Sequence, residues 1–171
     1  GVAPGCMDSM VNKYTAARRL RSEDAYSPDG RHDMRPEYPT IVYTQILRQL
    51  YPDVPVVLGG IEASLRRVMH FDYWQERFRP SILVDSNADM ITYGMGEKPT
   101  IELCRRLTDA LEESHPSLYY DENGYSYITR DTFRQVAQLQ NEIPQTVSLY
   151  DHDHIPGGIR EDDIVLHSYE K

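Results

Sequence analysis

Two glycine-containing turns hold the residues with the clearest capacity for ligand chemistry. The apolar run 54–58 ends at Gly59 and Gly60, and a second run ends at Gly94 and Gly96. Glycine lets backbone N–H groups approach a ligand closely, and a helix N-terminus after such a turn favours an anionic group. The same glycines could equally serve only as tight strand-to-helix turns. Because the pair does not form a GxGxxG fingerprint, nicotinamide binding is only weakly supported.

Polar side chains follow both turns. Glu62 and Ser64 come after the first glycine pair, and Glu97 comes after the second. The favoured interpretation is that each caps a helix end. The alternative is that they form hydrogen bonds with the hydroxyl groups of a ligand at the rim of a sheet.

An aromatic segment with two titratable groups lies between the turns. His70 and Asp72 are two positions apart and could form an acid/base pair. Tyr73 and Trp74 follow directly. The favoured interpretation is a structural aromatic cluster whose histidine has its hydrogen bonds satisfied.

Neither the acidic-histidine tract nor the cysteines predict a metal site. Four consecutive residues, 151–154 (DHDH), cannot easily converge on one ion, so a solvated loop is favoured. Cys6 and Cys104 cannot supply three or four thiolates, and they form no disulfide framework. We therefore expect a reducing, cytoplasmic environment, with Cys104 as a small buried residue in a helix. No HExxH, GxSxG or P-loop motif occurs.

Charge and hydropathy narrow the classes of partner. The formal net charge of −9 argues against bulk nucleic-acid binding. No apolar stretch is long enough to predict a membrane span or a secretory signal. Basic residues cluster nevertheless, and we interpret them as solvated helix faces or, alternatively, as contacts for an anionic ligand. These clusters are Lys13 with Arg18, Arg19 and Arg21; Arg66 with Arg67; and Arg105 with Arg106.

The predicted elements alternate between helices and strands. Asp8 would cap a helix over 9–20, with Met10, Tyr14 and Ala17 at helical spacing, and a polar loop would cover 21–37. Further helices are predicted over 39–50 and 99–113, with short ones near 63–68 and 79–84. Strands are predicted over 54–58 and 89–93. The apolar face of the helix over 39–50 would comprise Ile41, Ile46, Leu47 and Leu50. That of the helix over 99–113 would comprise Ile101, Leu103, Cys104, Leu107 and Leu111.

The pattern is weaker after residue 114. Asn123 and Gly124 predict a hairpin over 119–127, and Asp131 could cap a helix to about residue 140. Short strands are predicted over 146–150 and 163–167. Two parallel strands are too few for a stable sheet, so the first strand could lie upstream of Gly1. An unpaired edge would also favour self-association.

Long ordered blocks of this sequence resemble the YgiQ family of radical S-adenosylmethionine proteins. The blocks are MDSM at 7–10, YTA at 14–16, RRLR at 18–21, DAY at 24–26, VYTQ at 42–45, VPVVLGGIEASLRR at 54–67, DYW at 72–74, LVDS at 83–86, ADM at 88–90 and YGMGE at 93–97. They cover residues 1 to about 103. The segments 143–146 and 157–170 resemble the family less decisively.

The resemblance implies an accessory region of a larger enzyme. The parent protein would hold a [4Fe–4S] cluster in a radical S-adenosylmethionine barrel through a CxxxCxxC motif, which this chain lacks. The region before the barrel would have an α/β fold: an incomplete Rossmann-like, cobalamin-binding-domain-like three-layer sheet over 1–115, with a small β-containing extension over 116–171. The absence of a DxHxxG motif argues against cobalamin binding by this chain alone.

Three hypotheses about function remain open at this stage. The chain could cover the mouth of the barrel and shape the pocket for an unknown small-molecule substrate, with the barrel of the same parent chain as its partner. It could instead be a non-catalytic module for a nucleotide or a cobalamin-like ligand. It could also be a structural module that self-associates. In the first two, the ligand rim would comprise Gly59, Gly60, Glu62, Ser64, His70, Asp72, Gly94, Gly96 and Glu97.

Overall fold

The computed structural model describes residues 1–5, 9–114, 119–120, 126–138, 143 and 145–148. Five sequence predictions lie outside these residues: the Asp8 cap, the environment of Cys6, the turn at Asn123 and Gly124, the tract 151–154 and the strand 163–167. The described helices are α1 (Ser9–Lys13), α2 (Pro39–Leu50), α3 (Gly60–Leu65), α4 (Ile82–Ser86), α5 (Glu97–Ser114) and α6 (Arg130–Gln138), with a 3-10 turn at Pro28–Gly30. The strands are β1 (Val57–Leu58), β2 (His70–Asp72), β3 (Arg77–Arg79), β4 (Met90–Thr92), β5 (Tyr119–Tyr120), β6 (Ser126–Tyr127) and β7 (Thr146–Ser148).

The central sheet is mixed, with strand order β1-β4-β7. β1 and β4 are parallel, as the apolar runs predict, and β7 is antiparallel to β4, with Ile91 opposite Val147. The free side of β1 already has a neighbour within the chain, because Val2 forms a parallel bridge to Leu58. The third strand of the sheet, β7, comes from the far end of the described chain and pairs antiparallel with β4. The sequence pattern did not predict its place in the sheet.

Helices pack on both faces of this sheet, because strand side chains alternate in direction. Leu58 and Ile91 lie in one core cluster, and Met90 lies in a second with Leu103 and Phe133. The first cluster includes residues of α2, α3 and α4, and the second includes residues of α5 and α6. Burying each such large apolar side chain contributes roughly 1.5–3 kcal/mol. The class is mixed α/β, as predicted.

The buried face of α2 is more polar than the sequence pattern indicated. The helix spans the predicted residues and has Pro39 in its first turn. Thr40 and Thr44 are fully buried on it, and the hydroxyl of Thr44 donates to the Thr40 carbonyl at 2.7 Å. The predicted core positions Ile46 and Leu50 are instead exposed.

The apolar stripe of α5 also differs from the prediction. Leu103 is buried and Leu107 packs against the same cluster, as expected. Ile101 is 70% exposed and Cys104 is exposed, so both were wrongly assigned to the core. Their apolar character alone could not reveal this, because the helix packs through a stripe narrower than the run of hydrophobic residues.

Several helix limits differ from the prediction for local reasons. α1 ends at Lys13, because Tyr14 then forms a bridge with Leu20, so the predicted helix to residue 20 is wrong. α3 starts at Gly60 instead of residue 63. α4 starts later than predicted, where the hydroxyl of Ser81 accepts the N–H of Leu83 at 3.2 Å. At α6, Thr129 accepts the N–H of Thr132, so the cap is not Asp131.

Two antiparallel hairpins complete the described structure. β2 pairs with β3, with Phe71 opposite Phe78, where the sequence had indicated only an aromatic segment. β5 pairs with β6, as the turn signal predicted, with Tyr119 opposite Tyr127. None of the helices in the described ranges combines the length and apolar content needed to cross a membrane.

One buried carboxylate connects both helical layers to the sheet. Asp89 is fully buried immediately before β4 and accepts the N–H of Val56 at 2.7 Å. Its other oxygen accepts the Nε of Arg130 on α6 at 2.9 Å. Arg48 on α2 also donates to it, while reaching the Val54 carbonyl at 2.7 Å. Elements distant in sequence thus depend on a single side chain.

We predict that Asp89→Asn lowers the free energy of unfolding by about 3–5 kcal/mol, because it leaves the buried guanidinium of Arg48 without its counter-charge. Urea denaturation followed by circular dichroism measures the change. Asp109→Asn is the matched control, because Asp109 pairs with Arg105 on the exposed face of α5, where such a pair contributes about 0–1 kcal/mol. Equal effects of the two substitutions would contradict the prediction.

Candidate functional site

The two glycine turns lie at the same edge of the central sheet. The side chain of Thr92, at the end of β4, lies between them and donates to the Leu58 carbonyl at 3.4 Å. A Cβ atom placed on Gly59 would lie 3.5 Å from the Thr92 hydroxyl, and one placed on Gly96 would lie 3.8 Å from it. We call Gly59, Gly60, Gly94 and Gly96, at the carboxyl ends of the parallel strands, the glycine rim.

Ser64 connects the two turns directly. Its hydroxyl donates to the Gly60 carbonyl at 2.7 Å and accepts the N–H of Gly94 at 3.2 Å. The sequence pattern favoured Ser64 as a helix cap. Because its hydroxyl joins the two turns instead, that interpretation is wrong. Arg67 lies beside it, with its guanidinium 4.8 Å from the centre of the Tyr93 ring. The rim is fixed by short polar contacts as well as by the strands.

Left-handed backbone makes glycine necessary at two positions of the rim. Gly60 has φ +84° and Gly94 has φ +70°. Side chains with a Cβ rarely adopt such values, at a cost of roughly 1–2 kcal/mol. A Cβ on Gly94 would also come within 3.0 Å of the Gln145 amide nitrogen. Gly96 has neither a left-handed φ nor a neighbour this close, because a Cβ placed on it would lie 3.8 Å from the Thr92 hydroxyl.

The two glutamates predicted at the rim have separate environments. Glu62 is buried and accepts the hydroxyl of Thr40 at 2.5 Å, which ties α3 to α2. Glu62 thus neither caps the helix nor points to open solvent at the rim. Glu97 is exposed as the first residue of α5, directly after Gly96.

His70 and Asp72 do not form the acid/base pair that their spacing allowed. The Nδ1 of His70 lies 3.3 Å from the Val68 carbonyl, and its buried Nε2 has no hydrogen-bond partner within the described ranges. Asp72 accepts the N–H groups of Trp74 and Gln75 at 2.9 and 3.1 Å. These contacts make Asp72 the residue that closes the turn of the β2–β3 hairpin.

The second oxygen of Asp72 is held by Tyr38, whose hydroxyl donates to it at 2.7 Å. Burial alone would raise the pKa of Asp72, but the hydrogen bonds from Tyr38, Gln75 and Trp74 and the charge of Arg66 outweigh it, so that pKa is below its usual value. Burial and the Asp72 carboxylate together raise the pKa of Tyr38 well above its usual value. Asp72 is therefore charged, and Tyr38 neutral, at physiological pH.

The N-terminal segment packs against this hairpin, and the two border a partly open pocket of about 340 Å³. The rings of Tyr14 and Trp74 lie 4.7 Å apart, and the hydroxyl of Tyr73 donates to the Ala16 carbonyl at 3.0 Å. The lining residues are Val11, Tyr14, Thr15, Ala16, Arg21, Arg66, Phe71, Asp72, Tyr73 and Trp74. We call it the aromatic pocket. The sequence pattern did not predict this pocket, although both the basic cluster at 13–21 and the aromatic segment at 70–74 contribute walls.

The basic clusters are used in different ways. Lys13 pairs with Asp33 at 2.9 Å, and Arg18 pairs with Glu76. Arg105 and Arg106 pair with Glu102 along the face of α5, which fits the interpretation as a solvated helix face. Arg21 and Arg66 line the aromatic pocket, Arg67 packs on the Tyr93 ring beside the glycine rim, and Arg19 is exposed.

The donor set of the chain does not fit an iron–sulfur cluster. A cluster held through CxxxCxxC needs three thiolates, whereas this sequence contains two cysteines, far apart. Across the described ranges, no group of three or more histidine, cysteine or acidic side chains is arranged to bind a metal ion. We therefore assign no step of cluster chemistry to residues of this chain.

We predict that Gly94→Ala lowers the free energy of unfolding by about 1–2 kcal/mol or more, because it forces a Cβ into left-handed backbone. Gly96→Ala is the matched control at the same rim, and its effect should stay well below that of Gly94→Ala. Chemical denaturation of the two variants measures both effects. Equal stabilities would contradict the assigned backbone of the Gly94 turn.

Asp72 makes stability depend on pH on the acid side. Because its pKa is lower in the folded state than its unfolded value of about 3.9, its contribution is present above that value and is lost as pH falls through the folded pKa. We predict that Asp72→Asn is less stable at neutral pH and loses less stability between about pH 5 and pH 2 than the unmodified chain. Denaturant titrations across this pH range measure the difference in stability. Asp53→Asn is the control, because it removes one charge from an exposed position.

Comparison with known proteins places the chain in a family. The family model described as "Radical SAM N-terminal" matches residues 1–170. A "UPF0313 protein" of Bacteroides thetaiotaomicron is 53% identical over 172 residues, which cover 100% of this chain and 25% of that protein. A "UPF0313 protein" of Porphyromonas gingivalis is 48% identical over 97% of this chain and 29% of its own length.

The "UPF0313 protein YgiQ" of Escherichia coli K12 is 57% identical over 107 residues, which cover 63% of this chain and 14% of that protein. The matched part of this chain thus spans only 14% to 29% of the length of these relatives. No solved structure matches it. The chain belongs to the radical SAM N-terminal family and corresponds to a region of the YgiQ-type UPF0313 proteins.

Proposed function

We propose that this chain is an accessory region of a radical S-adenosylmethionine enzyme, in which the glycine rim covers the mouth of the barrel and helps to shape the substrate site. Iron–sulfur and S-adenosylmethionine chemistry would reside in the barrel, and this region would contribute positioning. The substrate would be a small molecule held between the two parts. Within this proposal the fold is an incomplete Rossmann-like sheet.

The position of the rim supports the proposal. In open α/β sheets, ligands bind beyond the carboxyl ends of the parallel strands. Gly59 follows β1, Gly94 follows β4 closely, and Ser64 joins the two turns. Helices on both faces of a parallel pair are also the layer arrangement of Rossmann-like domains.

Exposed apolar side chains at the rim carry the proposal furthest. Met95 lies between two rim glycines and is 73% exposed, and Ile61, directly after Gly60, is 58% exposed. Leu65 on α3 is exposed as well. Apolar side chains grouped at the functional edge of a sheet are typical of a surface that another part of a protein covers. The longer relatives supply the additional chain that such a cover requires.

Labelling of two methionines tests the proposal. In this chain Met95 is exposed at the rim and Met34 is 58% exposed in the loop before α2. We predict that brief hydroxyl-radical labelling of the full-length protein, read by mass spectrometry, modifies Met95 several-fold less than Met34. Labelling of the urea-unfolded protein normalises the intrinsic reactivity of the two sites. Equal modification of both residues in the folded full-length protein would overturn the proposed cover.

A further inference from the structure

Aromatic side chains form one wall of the aromatic pocket. The rings of Tyr14 and Trp74 contact each other, with centres 4.7 Å apart and planes tilted by 44°, and Tyr73 meets Trp74 edge to face at 6.0 Å. Phe71 contributes a fourth aromatic side chain. The volume of about 340 Å³ is within the range of small-molecule sites, which are usually lined by apolar and aromatic side chains with a few fixed polar groups.

The polar groups of the pocket are fixed before any ligand arrives. Asp72 is 2% exposed and Arg66 is 9% exposed. Tyr38 supports both of them, because its hydroxyl donates to Asp72 and its ring lies 5.6 Å from the guanidinium of Arg66. Tyr38 itself adopts left-handed backbone with φ +51°, a conformation that costs a bulky residue energy and is concentrated at functional sites.

The charges of the pocket favour an anion over a cation. Asp72 supplies the single carboxylate of the lining, and its oxygens already accept hydrogen bonds from Tyr38, Trp74 and Gln75. Arg21 also lines the pocket. Its Nε donates to the Val11 carbonyl at 2.8 Å, and its terminal nitrogens have no acidic partner in the described part of the chain. A guanidinium in this position can bind a carboxylate or phosphate through two donors.

We propose that the aromatic pocket binds a small molecule with a planar aromatic or heteroaromatic ring and an anionic group. The ring of the ligand packs against the aromatic wall, and Arg21 binds the carboxylate or phosphate. The site is separate from the glycine rim, so it can be tested independently of the proposed cover for the barrel.

Trp74 reports on binding without an added label, because it is the only tryptophan of the 171-residue chain. Two pairs of probes, each with the same ring, differ in whether they have an anionic group. AMP and adenosine differ by a phosphate, and nicotinate and nicotinamide differ in having a carboxylate or an amide. We predict saturable quenching of Trp74 by at least one anionic probe, with at least about tenfold weaker binding of its uncharged counterpart. Which pair shows the difference distinguishes a phosphate from a carboxylate ligand.

Three arginine variants identify the anion contact. Arg21→Met should weaken binding of the anionic probe by about tenfold or more, to the level of the uncharged probe, whose own affinity should stay the same. Arg21→Lys keeps the charge but loses the paired donors of the guanidinium, and should weaken binding less than Arg21→Met does. Arg19→Met is the matched control, because Arg19 is exposed nearby and does not line the pocket. A thermal melt establishes that each variant is folded.

Three results would overturn this proposal. The first is the absence of saturable quenching by both anionic probes up to millimolar concentration. The second is equal affinity for the charged and uncharged members of both pairs. The third is an equal loss of affinity in Arg21→Met and Arg19→Met, or in Arg21→Met and Arg21→Lys, since each would remove the specific role of the Arg21 charge.

Discussion

The rest of the structure depends on the buried carboxylate of Asp89. A buried charge is costly unless it is fully paired, so the positions of Arg48, Arg130 and the Val56 N–H are determined together. These groups belong to helices on opposite faces of the sheet and to the segment that enters β1. Precise placement of the parallel strands in turn brings their glycine turns to one edge. The geometry of the rim is thus a consequence of an interaction at the opposite end of the strands.

A second set of contacts orders the long segment before α2, which contains little regular structure. Asp24 accepts hydrogen bonds from the Tyr26 N–H at 3.0 Å and the Ser27 hydroxyl at 2.9 Å, and it pairs with Arg35 at 2.6 Å. Arginine and tyrosine side chains then hold the start of this segment against the β2–β3 hairpin. Short polar contacts take the place of secondary structure here. Tyr14, Thr15 and Ala16, which the sequence pattern assigned to a helix, instead follow the end of α1 and line the aromatic pocket.

Much of the fold could be predicted because its signals are local. Pro39, the apolar runs before the glycines and the long amphipathic pattern of α5 each predict an element from neighbouring residues alone. The convergence of the two glycine turns follows from parallel strands and was also predictable. The partner of Glu62, the turn-closing role of Asp72 and the exposure of Cys104 were not, since each depends on packing between distant residues. The aromatic pocket was missed for the same reason: its two walls are about 55 residues apart, as the contact between Arg18 and Tyr73 illustrates.

The antiparallel pairing of β7 has a consequence for the order in which the molecule is assembled. Met90 pairs with Ser148, so one side of β4 has no partner until the ribosome has synthesised and released nearly sixty further residues. β1, α3, α4 and β4 can form earlier, because their contacts are close in sequence. During that interval the nascent chain presents an open strand edge, which is a site for incorrect pairing with other chains. The interval ends when the last strand of the sheet leaves the exit tunnel.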